Sequence, residues 1–317
     1  MLMIRNKKLL YAAAAFLVLG LFTSWLYNSY FTLDTNPQRD AFDPAKEQQK
    51  QEEKEKNEIA NQLGEYTVLL LGVDTPKGFK TRTDTIMLAT VDAESRKARL
   101  VSIPRDTRVK IKGAWDKVNA AFVYGGVDLA KKTVEDFLGV KVDRYVIVNF
   151  NSLTKIVDAV GGIEVDVPIR MEYRAEGIDL YPGLQTLNGA DALAYSRYRY
   201  TSEGDIGRAK RQQEVIELLS KKIFSVEGLK NFPELVKLMQ ENVETDVPVR
   251  EIFALAKLAP DIMNNNIISV VVPGKNEKID GLWYWEPNLA QLEEQLRTST
   301  QQIHTIAKEV TQEKNNI

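Results

Sequence analysis

The chain has no cysteine. Disulfides, thiolate metal sites and cysteine nucleophiles are therefore excluded, while the redox compartment stays open. Histidine is almost as scarce: His304, in a polar C-terminal stretch that reads as helix, is the one imidazole among 317 residues. Histidine metal clusters and Ser-His-Asp catalysis each need a well-placed imidazole, so neither is expected. G-x-S-x-G, G-x-G-x-x-G and H-E-x-x-H are also missing, which removes support for serine hydrolases, Rossmann dehydrogenases and zincins. Gly126–Thr133 (GVDLAKKT) faintly resembles a P-loop but lacks the second glycine before its lysine. Net charge is small too, with 42 Lys and Arg against 44 Asp and Glu. Wholesale nucleic-acid binding does not fit that balance. The chemistry must fall to Asp, Glu, Arg, Lys, Ser, Thr or Tyr.

Charge is absent again from Leu9 to Phe31, a run of about 23 residues. At roughly 1.5 Å per residue such a helix spans about 34 Å, enough to cross a hydrocarbon core. Arg5, Lys7 and Lys8 precede the run, and Asp34, Arg39, Asp40 and Asp43 follow it. The basic side stays in the cytoplasm, so residues 1–8 read as a cytoplasmic tail and the C-terminal bulk as extracellular. A cleaved signal peptide is the competing reading. The exit, Trp25 to Phe31, is bulky and aromatic rather than small-x-small, and Trp25, Tyr27 and Tyr30 suit an interfacial belt. The expectation is an uncleaved anchor over 9–31. Residues 32–64, with KEQQKQEEKEKNE, read as a charged stalk, disordered or a solvated helix without an apolar stripe.

From about residue 65 to 317, strands and helices interleave without an obvious linker. Strands are expected at Thr67–Val73, Thr85–Val91, Arg99–Ile103, Arg144–Phe150, Ile163–Val167 and Ile267–Val272. Helices are expected at Lys117–Tyr124, Leu129–Leu138, Ala190–Arg197, Asp205–Phe224, Leu229–Gln240, Val249–Leu258 and from about Pro287. This predicts one α/β domain of α-β-α type, a central mixed sheet flanked by helices and preceded by one transmembrane helix.

Acids and arginines gather at the ends of these elements. Asp74 ends LLLGVD, Arg82 and Asp84 open TRTDT, and Arg105 and Asp106 end SIPRDT. Arg197 and Arg199 close AYSRYR, and Asp205, Arg208, Arg211 and Gln212 lie in GDIGRAKRQQ. Residues four apart on a helix share a face, so Arg208 and Gln212 point the same way. Strand ends and helix starts are where α/β folds present ligand-binding groups. Arginine forks match phosphate oxygens, and paired carboxylates suit Mg²⁺. For any one of these residues a surface ion pair is the simpler reading. Together, at the ends of apolar runs, they describe a possible site for a polyphosphate with a metal.

Joined in order, LLLGVD, TDTIMLATVD, LVSIPRDT, KVNAAFVYGG, the Thr133–Gly139 turn, VDAVGGIEVDV, LNGADALAYSRYR and DIGRAKRQQ resemble the LytR–CpsA–Psr family of cell-envelope phosphotransferases. The resemblance runs from about Tyr66 to Phe224; the C-terminal third carries no motif of the family. It implies transfer of a phosphoglycosyl polymer, such as wall teichoic acid, from undecaprenyl pyrophosphate to a peptidoglycan sugar hydroxyl. A phosphodiester forms and undecaprenyl phosphate is released. It further implies Asp74 and Asp84 towards Mg²⁺, with Mn²⁺ as the alternative ion. Arg82, Arg105, Arg197, Arg199, Arg208 and Gln212 would surround the pyrophosphate. Asp84, Arg105, Arg82 and Arg199 are the expected catalytic residues, Asp84 being preferred over Asp74 as proton acceptor. The roles of Asp106 and Asp205 stay open, a helix N-cap being one choice for Asp205.

A C55 chain also needs shelter. Val215, Ile216, Leu219 and Ile223 continue the helix of Arg208 and are the expected lipid wall, with Phe150, Leu153, Ile156 and Val157 opposite; plain core is the alternative. Two other functions compete, a non-catalytic polyprenyl-lipid-binding regulator and a lipid-pyrophosphate hydrolase. The expected partners are the lipid-linked glycopolymer, peptidoglycan and the cytoplasmic membrane, with no nucleic acid.

Overall fold

The computed structural model describes residues 44–74, 81–225, 228, 230, 232–263 and 267–299. The anchor expected over 9–31 and the helix expected around His304 lie outside these residues. Among the described residues, no helix is long and apolar enough to cross a membrane.

Helix α1 (Pro44–Leu63) leads to strands β1 (Glu65–Val73), β2 (Thr83–Asp92) and β3 (Lys97–Ser102). A hairpin of β4 (Arg108–Ile111) and β5 (Ala114–Lys117) precedes α2 (Ala120–Leu138), β6 (Arg144–Asn149) and α3 (Phe150–Ala159). Next come β7 (Ile163–Val167), β8 (Met171–Tyr173), β9 (Ile178–Leu180) and β10 (Gly183–Leu187). Helices α4 (Gly189–Arg197), α5 (Gly204–Ile223) and α6 (Phe232–Asn242) are followed by β11 (Glu244–Thr245) and α7 (Val249–Met263). Strand β12 (Ile267–Val271) and the hairpin β13 (Gly274–Ile279) and β14 (Leu282–Pro287) follow, and residues 289–299 form the helix expected from about Pro287.

One six-stranded sheet, in the order β11-β6-β1-β2-β3-β12, forms the centre. It is mixed: β2 is antiparallel to β1 and β3, whereas β6 and β12 run parallel to β1 and β3. Side chains alternate across a strand, so β1 serves both faces. Leu69, Leu71 and Val73 join Ala130 and Val134 of α2 in one core cluster. A second cluster joins Ile156 and Val157 of α3, Tyr195 of α4 and Val215 and Leu219 of α5. The result is the expected α-β-α arrangement. Gly72 is required by close approach: a Cβ there would sit 2.8 Å from the Thr85 Cβ, beside an irregularity in the β1–β2 register.

Several elements differ from the sequence expectation. The two helices expected at Lys117–Tyr124 and Leu129–Leu138 are one helix, α2, which begins at Ala120 and kinks at Gly125 and Gly126. Lys117 ends β5 instead. The hairpins β4–β5, β8–β9 and β13–β14 and the helix α3 were not legible. Strands as short as three residues carry too few alternations to register as a period. Helix α7 runs past Leu258 through Pro260 because Leu258, Ala259 and Ile262 are buried; tertiary packing outweighs the one hydrogen bond that proline removes.

The segment expected to be a stalk, disordered or a solvated helix, is an exposed helix over residues 45–55 and departs from that expectation only near its end. Its last turns carry a short apolar stripe, with Ile59, Ala60 and Leu63 packed among Ala93, Ala98, Leu258 and Ile262. Lys56 and Arg96 both reach Asp261, at 2.8 and 2.7 Å. Three residues in two turns are too few to show against a run of Gln, Glu and Lys.

Candidate active site

The topology of the sheet brings distant motifs to one edge. Val73 at the end of β1 pairs with Thr83 at the start of β2, so Asp74 and Asp84 leave neighbouring strand ends, and both line the same cavity. Strand β3 returns antiparallel to β2, so Ile103 and Pro104 deliver Arg105 to the same edge. Helix α4 ends at Arg197, with Arg199 just beyond, and the first turns of α5 carry Arg208 and Gln212. Asp74, Asp84, Arg105, Arg197, Arg199, Arg208 and Gln212 line a single cavity of about 430 Å³. Its other walls are largely apolar, including Val148, Leu153 and Ile156 on one side and Val215, Ile216, Leu219 and Ile223 on the other.

Ion pairs fix the charged part. Arg105 donates to Asp84 at 2.6 Å, and its Nε, also buried, has no hydrogen-bond partner. Asp106 lies 2.8 Å from the Lys117 ammonium and 3.8 Å from Arg105, so it braces the guanidinium from behind. Arg208 pairs with Asp205 at 2.9 Å. Asp205 is therefore an arginine partner in the first helical turn; the N-cap position belongs to Glu203. Arg197 pairs with Glu176 at 3.0 Å and lies 4.8 Å from the centre of the Phe150 ring. Arg199 is exposed and has no carboxylate partner among the described residues.

These surroundings shift the guanidinium groups in opposite directions. Burial pulls Arg105 down, but the Asp84 hydrogen bond and the charges of Asp84, Asp106 and Asp205 outweigh it, and its pKa is raised. Arg208, only 9% exposed, is lowered by burial, and the nearby Arg105 and Arg199 add to that against Asp205 and Asp84. Arg208 is thus buried beside further guanidinium groups with Asp205 as its partner, and the Arg105 Nε is a donor without a hydrogen-bond acceptor.

Asp74 accepts a hydrogen bond from the Thr81 hydroxyl at 3.0 Å. No group of three or more His, Cys, Asp or Glu side chains that could hold a metal occurs among the described residues. Asp74 and Asp84 both line the cavity and are oxygen donors of the kind Mg²⁺ takes.

Two residues fall elsewhere than expected. Arg82 is exposed and does not line the cavity. Val157 is 0% exposed and belongs to the core rather than to the cavity wall. Arg211, three residues after Arg208, turns away and donates to the Tyr198 carbonyl. Conversely, Glu176 and Asn149 line the cavity unannounced. Glu176 sits on a short 3-10 turn without any pattern. Asn149 had a readable signal, an Asn followed three residues later by a serine whose backbone N–H it caps.

Arginines and apolar side chains thus line one cavity. Residues 30–301 match the LytR_cpsA_psr family, and the chain belongs to it. It is 35% identical over 240 residues to the polyisoprenyl-teichoic acid–peptidoglycan teichoic acid transferase TagU of Bacillus licheniformis, covering 74% of this chain and 78% of that protein. The crystal structure of B. subtilis TagV superposes with a TM-score of 0.66 at 32% identity, covering 75% of this chain and 96% of that one. A structure of TagT bound to LI-WTA superposes with a TM-score of 0.60 at 28% identity, over 75% and 90% of the two chains.

Proposed function

We propose that this chain transfers a phosphate-linked anionic glycopolymer, of the teichoic acid kind, from an undecaprenyl-pyrophosphate carrier to a sugar hydroxyl of peptidoglycan. The observation that carries the reading is one cavity with an arginine-lined mouth and an apolar interior. A soluble phosphate ester would not need the interior, and a neutral lipid would not need the mouth. Relatives named as teichoic acid transferases support the same choice of substrates.

In this reading the acceptor hydroxyl attacks the phosphorus that bears the polymer. The new P–O bond forms as the bond to the lipid phosphate breaks, and undecaprenyl phosphate leaves with the electron pair. Arg105, Arg199 and Arg208 face the charge that grows on the leaving group, preorganised by their carboxylate and packing partners. Asp84 takes the proton from the hydroxyl. Asp74 and Asp84 would hold Mg²⁺ or Mn²⁺, which when bound supplies neutralisation of pyrophosphate charge. Val215, Ile216, Leu219 and Ile223 shelter the first isoprene units, at about 0.8 kcal/mol for each buried CH₂-sized group.

The reading also places the chain in the cell membrane, single-pass over 9–31, with its N-terminus cytoplasmic and its domain extracellular. Basic residues before an uncharged run support that orientation. External protease on intact, wall-stripped cells should remove the domain, and protection would reject this topology.

The deciding experiment incubates the full chain with lipid-linked polymer, Mg²⁺ and a peptidoglycan oligomer. Polymer joined to the oligomer is the expected product. No product would leave a lipid-binding regulator, and free phosphorylated polymer would identify a hydrolase.

A further inference from the structure

The hairpin β4–β5 presents a face that the reaction above does not use. Its strands alternate: Val109 and Ile111 are buried in the core, whereas Lys110 is exposed and Trp115 is 52% exposed. Lys110 is the register partner of Trp115, and Arg108 that of Lys117, so the outer face is one indole among three cations. The Arg108 guanidinium lies 4.2 Å and the Lys110 ammonium 5.3 Å from the centre of the Trp115 ring.

The face is contiguous with the cavity mouth. Lys117 is joined through Asp106 to Arg105, at 2.8 and 3.8 Å. It also lies 5.8 Å from the centre of the Tyr284 ring. Tyr124, 55% exposed, donates to Asp116 at 2.6 Å. That bond pushes the Tyr124 hydroxyl up. Arg108 and Lys117 have carboxylate partners in Glu286 and Asp106. Lys110 and Lys112 have none among the described residues, and Lys112 is held out at the hairpin turn with φ of 50°.

We infer that the outer face of the β4–β5 hairpin is a docking track for the anionic polymer of the donor as it leaves the cavity mouth. This rests on the transferase reading. Uncommitted ammonium groups pair with phosphodiesters spaced along the chain, and the indole covers the C–H face of a sugar or polyol between them. Charge complementarity selects the polyanion over a neutral glycan. A cationic face next to the mouth would also hold the long donor by a second contact, so that affinity grows with polymer length.

Two measurements on the full chain test this. The first is binding of lipid-free poly(glycerol phosphate), read by Trp fluorescence or calorimetry, to wild type, Trp115→Ala and the pair Lys110→Glu with Lys112→Glu. The second is turnover of two donors on the same lipid pyrophosphate, one with a long polymer and one with a disaccharide alone. Loss of two ion pairs should weaken polymer binding by about tenfold or more. KM for the long donor should rise by a similar factor, while the short donor is turned over as in wild type. Unchanged polymer binding, or equal effects on both donors, overturns the proposal. So does saturable binding of a neutral peptidoglycan oligomer that the same substitutions abolish. A wild-type chain that turns over neither donor defeats the transferase reading instead, and the direct binding measurement then still decides the hairpin.

Discussion

Arg105 donates to Asp84 at 2.6 Å across neighbouring strand ends. The arginine assigned to the pyrophosphate and the aspartate assigned to the metal are thus already each other's partner. Neither is a loose surface charge, and a substitution at one changes what the other can do.

Arg105→Ala and Arg199→Ala should each lower turnover by about 10²-fold, the scale for removing a donor aimed at transition-state charge. Lysine should rescue poorly at 105, since a point charge cannot both pair with Asp84 and present a second donor to phosphate. Wild-type rates in folded alanine variants would show that the pyrophosphate lies elsewhere. Steady-state kinetics with a defined lipid-linked donor reads this directly.

Asp74→Ala and Asp84→Ala should abolish divalent-dependent turnover while retaining most lipid binding. A strand-end carboxylate contributes little to the fold, whereas a Mg²⁺ site has few anionic ligands to lose. The two variants should differ in one respect: only Asp84→Ala releases Arg105. Activity unaffected by chelator would remove the metal from the scheme.

Leu219 and Ile223 are 7% and 8% exposed, and both line the cavity. Leu219→Trp or Ile223→Trp should block long-chain polyprenyl substrate and spare short-chain analogues, with little change in melting temperature. Were these positions plain core, overpacking would destabilise the domain by about 1–3 kcal/mol and affect all substrates alike. Comparing melting temperature with short- and long-chain turnover separates the two.

Acid stability should depend on Glu251. The bidentate Arg144 fork, at 2.9 and 3.0 Å, holds its carboxyl below the usual 4.5 against the opposing effect of burial, and the Tyr66 hydroxyl at 2.5 Å assists. A depressed carboxylate stabilises the fold above its unfolded pKa and loses that contribution as pH falls through the folded value. Glu251→Gln should therefore melt below wild type near about pH 7, and the gap should narrow towards about pH 3. A gap that stays constant with pH would show that the carboxylate charge does not matter there.

The sequence by itself determined which residues were candidates for the chemistry and which long segments would be strand or helix. Runs such as Val68 to Val73 and the stripe from Val215 to Ile223 declare themselves because period and burial coincide over several residues. Charged groups at the ends of such runs, in family order, likewise marked the candidate residues. Tertiary structure decided how these groups are paired. The β1–β2 pairing brought Asp74 and Asp84 to neighbouring strand ends, and the antiparallel return of β3 gave Arg105 to Asp84. It also gave Glu176 to Arg197, from a 3-10 turn without a pattern. The same packing left Arg82 exposed, buried Val157 in core and turned Arg211 away to the Tyr198 carbonyl. Periodicity reports which face of an element is apolar, but not which element covers it. Partner choice is a property of sheet order and register, which arise only when residues far apart in the chain are brought together.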